Sequence, residues 1–255
     1  MSEKHGPKVS IVMPTYNAEA FIGEAICSVL SQSVTDFELI VIDDGSNDNT
    51  QNIVSAFMRK DARITLVTNK ENMGVARTRN RGLDLCRGKY IALLDSDDYW
   101  EPCFLEKMIA QEEKTKADLI YCSYAIVNEQ GTKICSDFIV PEKTTFRDSI
   151  VRNVISCSTV LFASDYVKQC RFPLDVYHED IALWFQILRD GGTACGVTDV
   201  LASYRQRADS RASNKFKSAC RRWTIYRKHL KMSIPETVYV MAQYAYYGFK
   251  KYRQI

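Results

Sequence analysis

The 255-residue sequence contains no apolar run long enough for a membrane-spanning helix, which needs about 20 consecutive apolar residues. Its first eight residues are polar and charged, so they lack the apolar centre of a secretion signal. Both absences argue against an integral membrane protein and against an exported one. We therefore expect a cytoplasmic protein, with an apolar share of 46% that suits a substantial core.

Cysteine and histidine occur in patterns that argue against a structural metal site. The nine cysteines form no C-x-x-C pair and their number is odd, which favours reduced thiols over a disulfide or zinc framework. His178 lies beside acidic residues but has no second histidine at ligand spacing. We expect it to be a structural hydrogen-bonding residue.

Two glycine-rich motifs for nucleotide binding are also missing. No G-x-G-x-x-G run follows a predicted strand, which argues against a dinucleotide-dependent dehydrogenase. Five residues separate Gly82 from Gly88, and Tyr90 stands where a P-loop has serine or threonine. Any nucleotide must therefore be bound by another arrangement of side chains.

The first hundred residues alternate short apolar runs with amphipathic stretches. Four runs, at 9–14, 37–42, 64–68 and 90–94, predict buried strands because their apolar residues are continuous. Segments with helical apolar spacing separate them, and Asn17 is placed to cap the first helix. This alternation predicts an α/β fold with a mainly parallel central sheet flanked by helices.

Polar side chains follow the ends of three of these strands. Tyr16 follows the first strand, Asp43 and Asp44 follow the second, and Asp95–Asp98 follow the fourth. Ligands bind open α/β sheets at the carboxyl ends of the strands. We therefore expect these side chains to share one site.

The acidic side chains at these strand ends suit a divalent cation. Carboxylates grouped so closely repel one another, and hard oxygen ligands suit Mg²⁺ or Mn²⁺. Such an ion would bridge the phosphates of a nucleotide diphosphate and stabilise it as a leaving group. The alternative is a solvated acidic turn in which Asp98 caps the next helix.

Four blocks of sequence resemble the family 2 glycosyltransferases with the GT-A fold. They are VSIVMPTYN at 9–17, FELIVIDDGS at 37–46, NMGVARTRNRG at 72–82 and GKYIALLDSDD at 88–98, followed by a looser match at His178-Glu179-Asp180. The resemblance implies an inverting transferase that moves a hexose or N-acetylhexosamine from a UDP-sugar to a saccharide acceptor. Its setting would be bacterial surface polysaccharide synthesis, as for O-antigen, capsule or teichuronic acid.

The same resemblance implies roles for individual residues. Those implied to bind the nucleotide sugar are Pro14, Thr15, Tyr16, Asp43, Asp44, Arg79, Asp95, Ser96 and Asp97. Within this set, Asp97 matches the ligand of Mn²⁺ or Mg²⁺, and Asp44 with Asp43 would hold the base and ribose. Asp98 would contact the sugar or support the ligand set. Arg77 departs from the family pattern, in which this position is small, and either contacts a phosphate or faces solvent.

Asp180 matches the catalytic base of the family, and Glu179 would bind the acceptor. An inverting displacement needs a carboxylate within hydrogen-bond reach of the attacking hydroxyl, because that hydroxyl loses a proton as it attacks. The alternative is a pair of first-turn acids that the dipole of the following helix favours. The two interpretations are compatible, since a base at the start of a helix is rigidly held.

Positive charge is concentrated at the end of the chain. From Leu201 onward there are 13 Lys and Arg against 2 Asp and Glu, with aromatic residues interleaved. We divide the chain into a nucleotide-sugar-binding half at 1–100, an acceptor-binding half at 101–210 and a basic aromatic helical tail at 211–255. Such a tail suits peripheral contact with the inner face of the cell membrane and a polyprenyl-diphosphate-linked acceptor. Two alternatives are a solvated helix packed on the body and a segment that binds single-stranded nucleic acid; we favour no nucleic-acid partner.

Two other function classes remain open from the sequence. A phosphotransferase with an aspartate nucleophile also begins with strand–Asp-x-Asp, although Asp98-Tyr99 and the fourth-strand position fit it poorly. A non-catalytic module that binds nucleotide sugars would keep the acidic cleft but would have no need of Asp180.

Overall fold

A computed structural model describes residues 6–167, 170–207 and 215–252. Within these ranges the side chains of residues 167, 215–217 and 248–252 are outside the description. The predictions that concern the first five residues, residues 208–214 and the last three residues therefore fall outside the described residues.

Four parallel strands form the first half of the central sheet. They are β1 (Val9–Thr15), β2 (Phe37–Asp43), β3 (Ile64–Thr68) and β4 (Tyr90–Leu93), in the order β3-β2-β1-β4. Every residue of β1, β2 and β4 is buried, as their continuous apolar runs predict. The four predicted strands are thus confirmed, to within one residue at their ends.

Helices cover both faces of this half. They are α1 (Ile22–Leu30), α2 (Thr50–Met58) and α3 (Val75–Leu85). Successive residues of β1 point to opposite faces, so Ile11 packs with α1 while Val12 packs with α3. A Cβ on Gly82 would lie 2.3 Å from the side chain of Val12, so α3 approaches the sheet more closely than a larger residue would allow.

The first helix begins later than the sequence predicts. Asn17 does not cap α1, because its backbone is left-handed at a φ of 47° and the helix starts at Ile22. Its side-chain oxygen accepts a hydrogen bond from the backbone N–H of Asn47, and its own N–H donates to Ser46. Asn17 therefore joins the loops that follow β1 and β2, next to the predicted site.

The second half continues the same sheet. Its elements are β5 (Tyr99–Trp100), α4 (Phe104–Thr115), β6 (Leu119–Val127), β7 (Lys143–Thr144), α5 (Phe146–Val151), β8 (Val160–Ala163), α6 (Ser164–Val167), α7 (Glu179–Arg189) and β9 (Ala194–Arg205). The order runs on as β4-β8-β6-β9-β5, and β8 is antiparallel to both of its neighbours. The long parallel pair of β6 with β9 keeps the sheet mostly parallel. One sheet therefore crosses the boundary that we placed at residue 100.

The C-terminal segment is helical and packs on the body. It comprises α8 (Lys215–Thr224), a π-helical segment (Ile225–His229) and α9 (Ile234–Tyr252). Ile225, Tyr226 and Val240 join a buried cluster with Phe185 of α7 and Ile150 of α5. None of the helices formed by the described residues combines the length and apolar character needed to cross a bilayer.

Candidate active site

The predicted strand ends open into one cleft of about 500 Å³ at the carboxyl edge of the sheet. The loops after β1, β2 and β4 form one wall, and the start of α7 and the end of β9 form the other. Of the predicted site residues, the lining includes Pro14, Thr15, Tyr16, Asp44, Arg79, Asp95, Ser96, Asp97, Glu179 and Asp180. The structure thus brings together side chains that are up to 166 positions apart in the chain.

The loop after β1 presents groups suited to a nucleobase and its ribose. The Tyr16 ring is 44% exposed at the mouth of the cleft, where a flat ligand can stack on it. The Thr15 hydroxyl is buried, and within the described chain it has no hydrogen-bond partner. A buried hydroxyl of this kind is costly unless a ligand or water pairs with it.

Asp44 shapes the loop between β3 and α3, beside the cleft. Its Oδ1 accepts hydrogen bonds from the backbone N–H of Met73 at 2.9 Å and from Asn69, and its Oδ2 accepts from the N–H of Gly74 at 2.9 Å. Gly74 has a φ of 87°, which glycine adopts without strain. The Asp44 carboxylate thereby fixes the turn that leads into α3.

Asp43 lies beneath the cleft and is not among its lining residues. It is fully buried, and its Oδ2 accepts hydrogen bonds from the Ser46 N–H and from Gln51. In this structure Asp43 supports the loop after β2, and its predicted nucleotide contact stays a prediction.

Arg79 connects the two walls of the cleft. Its Nη2 donates to Asp95 Oδ1 and its Nη1 donates to Glu179 Oε1, both at 2.6 Å. The side chain is only 5% exposed and lies over the Phe172 ring. Burial alone lowers the pKa of the guanidinium, but the charges of Asp95 and Glu179 oppose this and hold that pKa well above its ordinary value. The cleft therefore contains a permanent cation, ionically paired to both halves.

Asp97 is a partly buried carboxylate of the segment after β4, with its side chain 29% exposed. Burial, and then the negative charge of Asp95, raise the pKa of Asp97, while Arg207 opposes that rise. The guanidinium of Arg207 lies 3.7 Å from Asp97 Oδ2, longer than a charge-assisted hydrogen bond. The negative charge of Asp97 is thus poorly compensated by the protein, as expected of a group that binds a cation.

A divalent ion fits this arrangement only with help from a ligand. Residues 6–167, 170–207 and 215–252 contain no group of three or more acidic, histidine or cysteine side chains that could hold a metal ion. Mg²⁺ and Mn²⁺ are commonly bound by one or two carboxylates together with substrate phosphates. Asp97 supplies such a carboxylate, with Asp95 close enough to affect its pKa.

Asp98 has a different role from its neighbours. It is buried, its Oδ2 accepts a 2.6 Å hydrogen bond from Ser158, and its Oδ1 accepts the backbone N–H of Arg205. Burial, followed by the charges of Asp97 and Asp95, raises its pKa well above the ordinary value. Asp98 does not cap the following helix, which begins only at Phe104, so the alternative of a simple capping turn is wrong.

Asp180 lies in the first turn of α7, with Glu179 immediately before it. The partial positive charge at the start of a helix favours a carboxylate there. The Asp180 side chain is half-buried, and it forms no hydrogen bond or ion pair with the described residues. A carboxylate in the cleft that forms no hydrogen bond or ion pair with the described residues is available to accept a proton.

The geometry of the cleft agrees with the known proteins that the sequence resembles. The profile described as "Glycosyl transferase family 2" matches residues 10–154. TuaG of Bacillus subtilis (strain 168), named for teichuronic acid biosynthesis, is 34% identical over 245 residues, which are 96% of this chain and 97% of that protein. The chain belongs to glycosyl transferase family 2.

Three further comparisons concern a named activity and the fold. The Escherichia coli protein WfgD, named a UDP-Glc:alpha-D-GlcNAc-diphosphoundecaprenol beta-1,3-glucosyltransferase, is 36% identical over 247 residues, 96% of this chain and 94% of that protein. The crystal structure of S. aureus TarS 1-349 in complex with UDP-GlcNAc has a TM-score of 0.72 at 20% identity, covering 93% of this chain and 71% of that one. Mannosyltransferase PcManGT from Pyrobaculum calidifontis, in complex with GDP-Man and Mn2+, has a TM-score of 0.70 at 19% identity. The match covers 95% of this chain and 70% of that one. The GT-A fold is confirmed.

This family 2 member is a glycosyltransferase, so the alternative of an aspartate-nucleophile phosphotransferase is wrong. The structure also argues against that alternative, because Asp95, the first carboxylate after β4, is paired with Arg79. Glycosyltransferase activity also argues against the alternative of a non-catalytic module that only binds nucleotide sugars.

Two arginines at the end of β9 line the cleft but were not among the predicted site residues. Arg205 is buried, and its Nε donates to the Asp97 carbonyl oxygen at 2.8 Å while other guanidinium atoms bond the turn at Glu129 and the side chain of Glu24. Arg207 faces Asp97 inside the cleft. The sequence does carry a signal for both arginines. They stand at the carboxyl end of the apolar strand β9, just as other polar site residues stand at the carboxyl ends of β1, β2 and β4.

Proposed function

We propose that this glycosyltransferase moves a hexose or N-acetylhexosamine from a UDP-sugar to a saccharide acceptor with inversion at the anomeric carbon. The acceptor is linked to a polyprenyl diphosphate, and the product serves bacterial surface polysaccharide synthesis. The observation that carries the proposal is the cleft in which strand-end carboxylates face Asp180 at the start of α7. The names of WfgD and TuaG support the donor, the lipid-linked acceptor and the setting.

The donor occupies the wall formed by the first half. Tyr16 stacks on the base, and Thr15 and Asp44 face the base and ribose. Asp97 would hold Mn²⁺ or Mg²⁺ together with the diphosphate, and the bound ion would supply positive charge that stabilises UDP as a leaving group. Arg207, beside Asp97, adds a second positive charge at the same place.

Asp180 removes the proton from the attacking hydroxyl of the acceptor. The hydroxyl oxygen forms a bond to the anomeric carbon as the bond from that carbon to the UDP oxygen breaks on the opposite face. The electron pair leaves with UDP, and the proton stays on Asp180 until solvent takes it. Because the departing group is already a weak base when its charge is neutralised, a single carboxylate suffices. Glu179, held by Arg79, binds an acceptor hydroxyl beside the base.

The acceptor determines where the reaction takes place. A polyprenyl diphosphate lies in the bilayer, and UDP-sugars are cytoplasmic, so we place the protein at the inner face of the cell membrane. The basic, aromatic C-terminal segment is the part that contacts the membrane.

The test is transfer to a defined acceptor. Purified protein with Mn²⁺ is given a panel of UDP-hexoses and UDP-N-acetylhexosamines and a synthetic lipid-diphosphate N-acetylglucosamine, and the product is measured by mass spectrometry. Asp180→Asn should lower kcat by a factor of about 10³ or more with little change in the donor KM, because general base catalysis is worth about 10²–10⁴.

The matched control is Asp175→Asn, which changes an exposed carboxylate a few residues before α7. Its kcat should match that of the wild type. Full transfer by Asp180→Asn would remove the base from the mechanism. Absence of any product with the wild-type protein and every donor would overturn the donor and acceptor assignments together.

A further inference from the structure

Helix α9 presents an uncharged face to solvent. Glu236 is exposed on one side of the helix. With about 100° between successive residues of an α-helix, seven exposed and uncharged side chains from Ile234 to Tyr246 fall together within an arc of about 140°. They are Ile234, Pro235, Val238, Tyr239, Ala242, Ala245 and Tyr246, and all of them are exposed. Tyr239 and Tyr246 are 64% and 63% exposed.

The opposite side of α9 already packs on the body. Thr237 and Val240 are buried, and the Tyr244 ring stacks under the guanidinium of Arg222, 4.5 Å from its carbon. A helix in water normally carries its charged residues on the face that it turns away from the protein. The exposed arc lacks them, and contiguous apolar surface of this kind indicates an interaction site.

A cationic groove borders the arc. Its volume is about 460 Å³, and its polar lining comprises Arg147 and Arg152 near the two ends of α5, Asp148 of the same helix, and Tyr239, Gln243 and Tyr247 of α9. Both arginines are exposed, and the Arg152 guanidinium lies 5.0 Å from the centre of the Tyr247 ring.

The acidic side chains nearby are occupied by helix capping. Asp148 accepts hydrogen bonds from the backbone N–H and the hydroxyl of Thr145, and Glu236 accepts from the same two groups of Ser233. Neither arginine forms an ion pair with a carboxylate among the residues that the structure describes, and both side chains are exposed to solvent.

We propose that this α9 surface, the seven arc residues together with Arg147 and Arg152, docks the protein on an anionic phospholipid bilayer. Tyrosine and aliphatic side chains bury their apolar parts at the membrane interface, and arginine pairs with lipid phosphates. A second copy of the chain fits less well, because seven residues of one helix are far fewer than the roughly 20–30 residues that a stable interface uses on each side. The surface deepens the proposed function, which requires a lipid-linked acceptor, and within the C-terminal segment it assigns the membrane contact to α9.

The experiment is co-sedimentation of the full chain with vesicles of phosphatidylcholine alone or mixed with phosphatidylglycerol. The wild type should bind the mixed vesicles, with less binding as salt increases. Tyr239→Ser/Tyr246→Ser should reduce binding at least tenfold. Arg147→Gln/Arg152→Gln should reduce it by a factor of roughly 30, and only on the anionic vesicles.

Two double variants serve as controls. Ile139→Ser/Leu174→Ser removes equally exposed apolar side chains elsewhere, and Arg59→Gln/Lys60→Gln removes exposed cations after α2. Both should bind like the wild type. Equal losses in the test and control variants, or no binding by the wild type, would overturn the proposal. A dimer in light scattering that only the tyrosine variant loses would assign the surface to a second copy instead.

The proposed function is measured separately, as transfer to a detergent-solubilised acceptor. The tyrosine and arginine variants should keep their wild-type turnover in that assay, because none of these residues lines the cleft. A wild-type protein that binds vesicles but transfers no sugar would contradict the proposed reaction. A wild-type protein that transfers sugar but does not bind vesicles would contradict the docking surface.

Discussion

The guanidinium of Arg79 donates one 2.6 Å hydrogen bond to Asp95 and another to Glu179. Asp95 follows β4 in the donor wall, whereas Glu179 begins α7 and precedes the base. Planar, fixed donors at these two positions hold the walls at one separation, which a flexible ammonium would not do. We infer that Arg79 is a positioning residue for Asp180, in addition to its predicted place near the nucleotide.

Arg79→Lys keeps the positive charge but loses the two guanidinium donors, so either Asp95 or Glu179 is left without its partner. We expect kcat to fall roughly 10- to 100-fold, since small misplacement of reacting groups costs about that much. Steady-state kinetics of UDP release would measure it. Arg77→Lys, at an exposed position of the same helix, is the control and should leave kcat unchanged. An Arg79→Lys enzyme with lower stability but wild-type kcat would limit Arg79 to a structural role.

Asp97 is placed where its own negative charge is unfavourable in the free protein. Its raised pKa means that the folded state binds a proton more tightly than the unfolded state, whose Asp has a pKa near 3.9. Stability contributed by the proton is therefore lost as pH rises above about 4 through the raised pKa of the folded state. At neutral pH the ionised Asp97 lowers the free energy of unfolding.

Asp97→Asn should consequently stabilise the ligand-free protein at neutral pH. We expect Tm to rise by about 2–4 °C for each kcal/mol of relieved repulsion, and the difference from the wild type should shrink toward pH 4. Thermal unfolding followed by circular dichroism across this pH range would measure it. Asp199→Asn, an exposed residue of β9, should show no such pH-dependent gain. A lower Tm for Asp97→Asn at neutral pH would contradict the electrostatic account.

At the scale of the elements, α7 depends on the C-terminal segment. Phe185 of α7 stacks on the Tyr226 ring with centroids 6.1 Å apart, and the Tyr226 hydroxyl donates to the carbonyl oxygen of Ile150 in α5. Tyr226 is fully buried. Truncation near Ser210 therefore removes part of the core that supports α7, the helix that carries Asp180, and it is unsuitable as a test of membrane contact.

Substitution of Tyr226 separates packing from hydrogen bonding. Tyr226→Ala should lower the free energy of unfolding by about 3–5 kcal/mol, as for other buried aromatic residues. Tyr226→Phe should cost about 1 kcal/mol, because only the hydrogen bonds of the hydroxyl, to Ile150 and from Arg222, are lost. Urea unfolding would measure both. Tyr239→Ala, on the exposed arc of α9, should change stability by less than about 0.5 kcal/mol. Similar values for Tyr226→Ala and Tyr239→Ala would show that the segment does not support the body.

The elements of the first half could be predicted because each strand is an apolar run between amphipathic helices. The second half follows no such rule. The strand β8 has only four residues and runs antiparallel between β4 and β6, and β5 has two. Short strands depend on neighbours that are distant in sequence, so their residues alone carry little signal. The place of Asp97 in the cleft could be predicted from its position after a strand, and that of Asp180 from the family resemblance. The Arg79 bridge to Glu179 spans 100 residues and has no local pattern.

At the scale of the whole molecule, the cleft lies between two halves of one sheet. Loops after β1, β2 and β4 supply one wall, and α7 and β9 supply the other. A ligand that contacts both walls must be released before either half unfolds. Donor binding should therefore stabilise the entire body, and hydrogen exchange should slow in β9 and α7 as well as in β1 and β2.

UDP with Mn²⁺ should raise Tm of the wild type, because a ligand that binds only the folded state stabilises it. At one hundred times its Kd the gain is about 2.7 kcal/mol, or roughly 5–10 °C for a chain of this size. A chelator should remove most of this gain, and UMP, which has no β-phosphate for the ion to bridge, should give less. In Asp97→Asn the increment from Mn²⁺ should disappear while a smaller one from UDP alone remains. An equal shift with and without chelator would contradict a metal held by Asp97, and it would leave Arg79 and Arg207 as the charges that face the diphosphate.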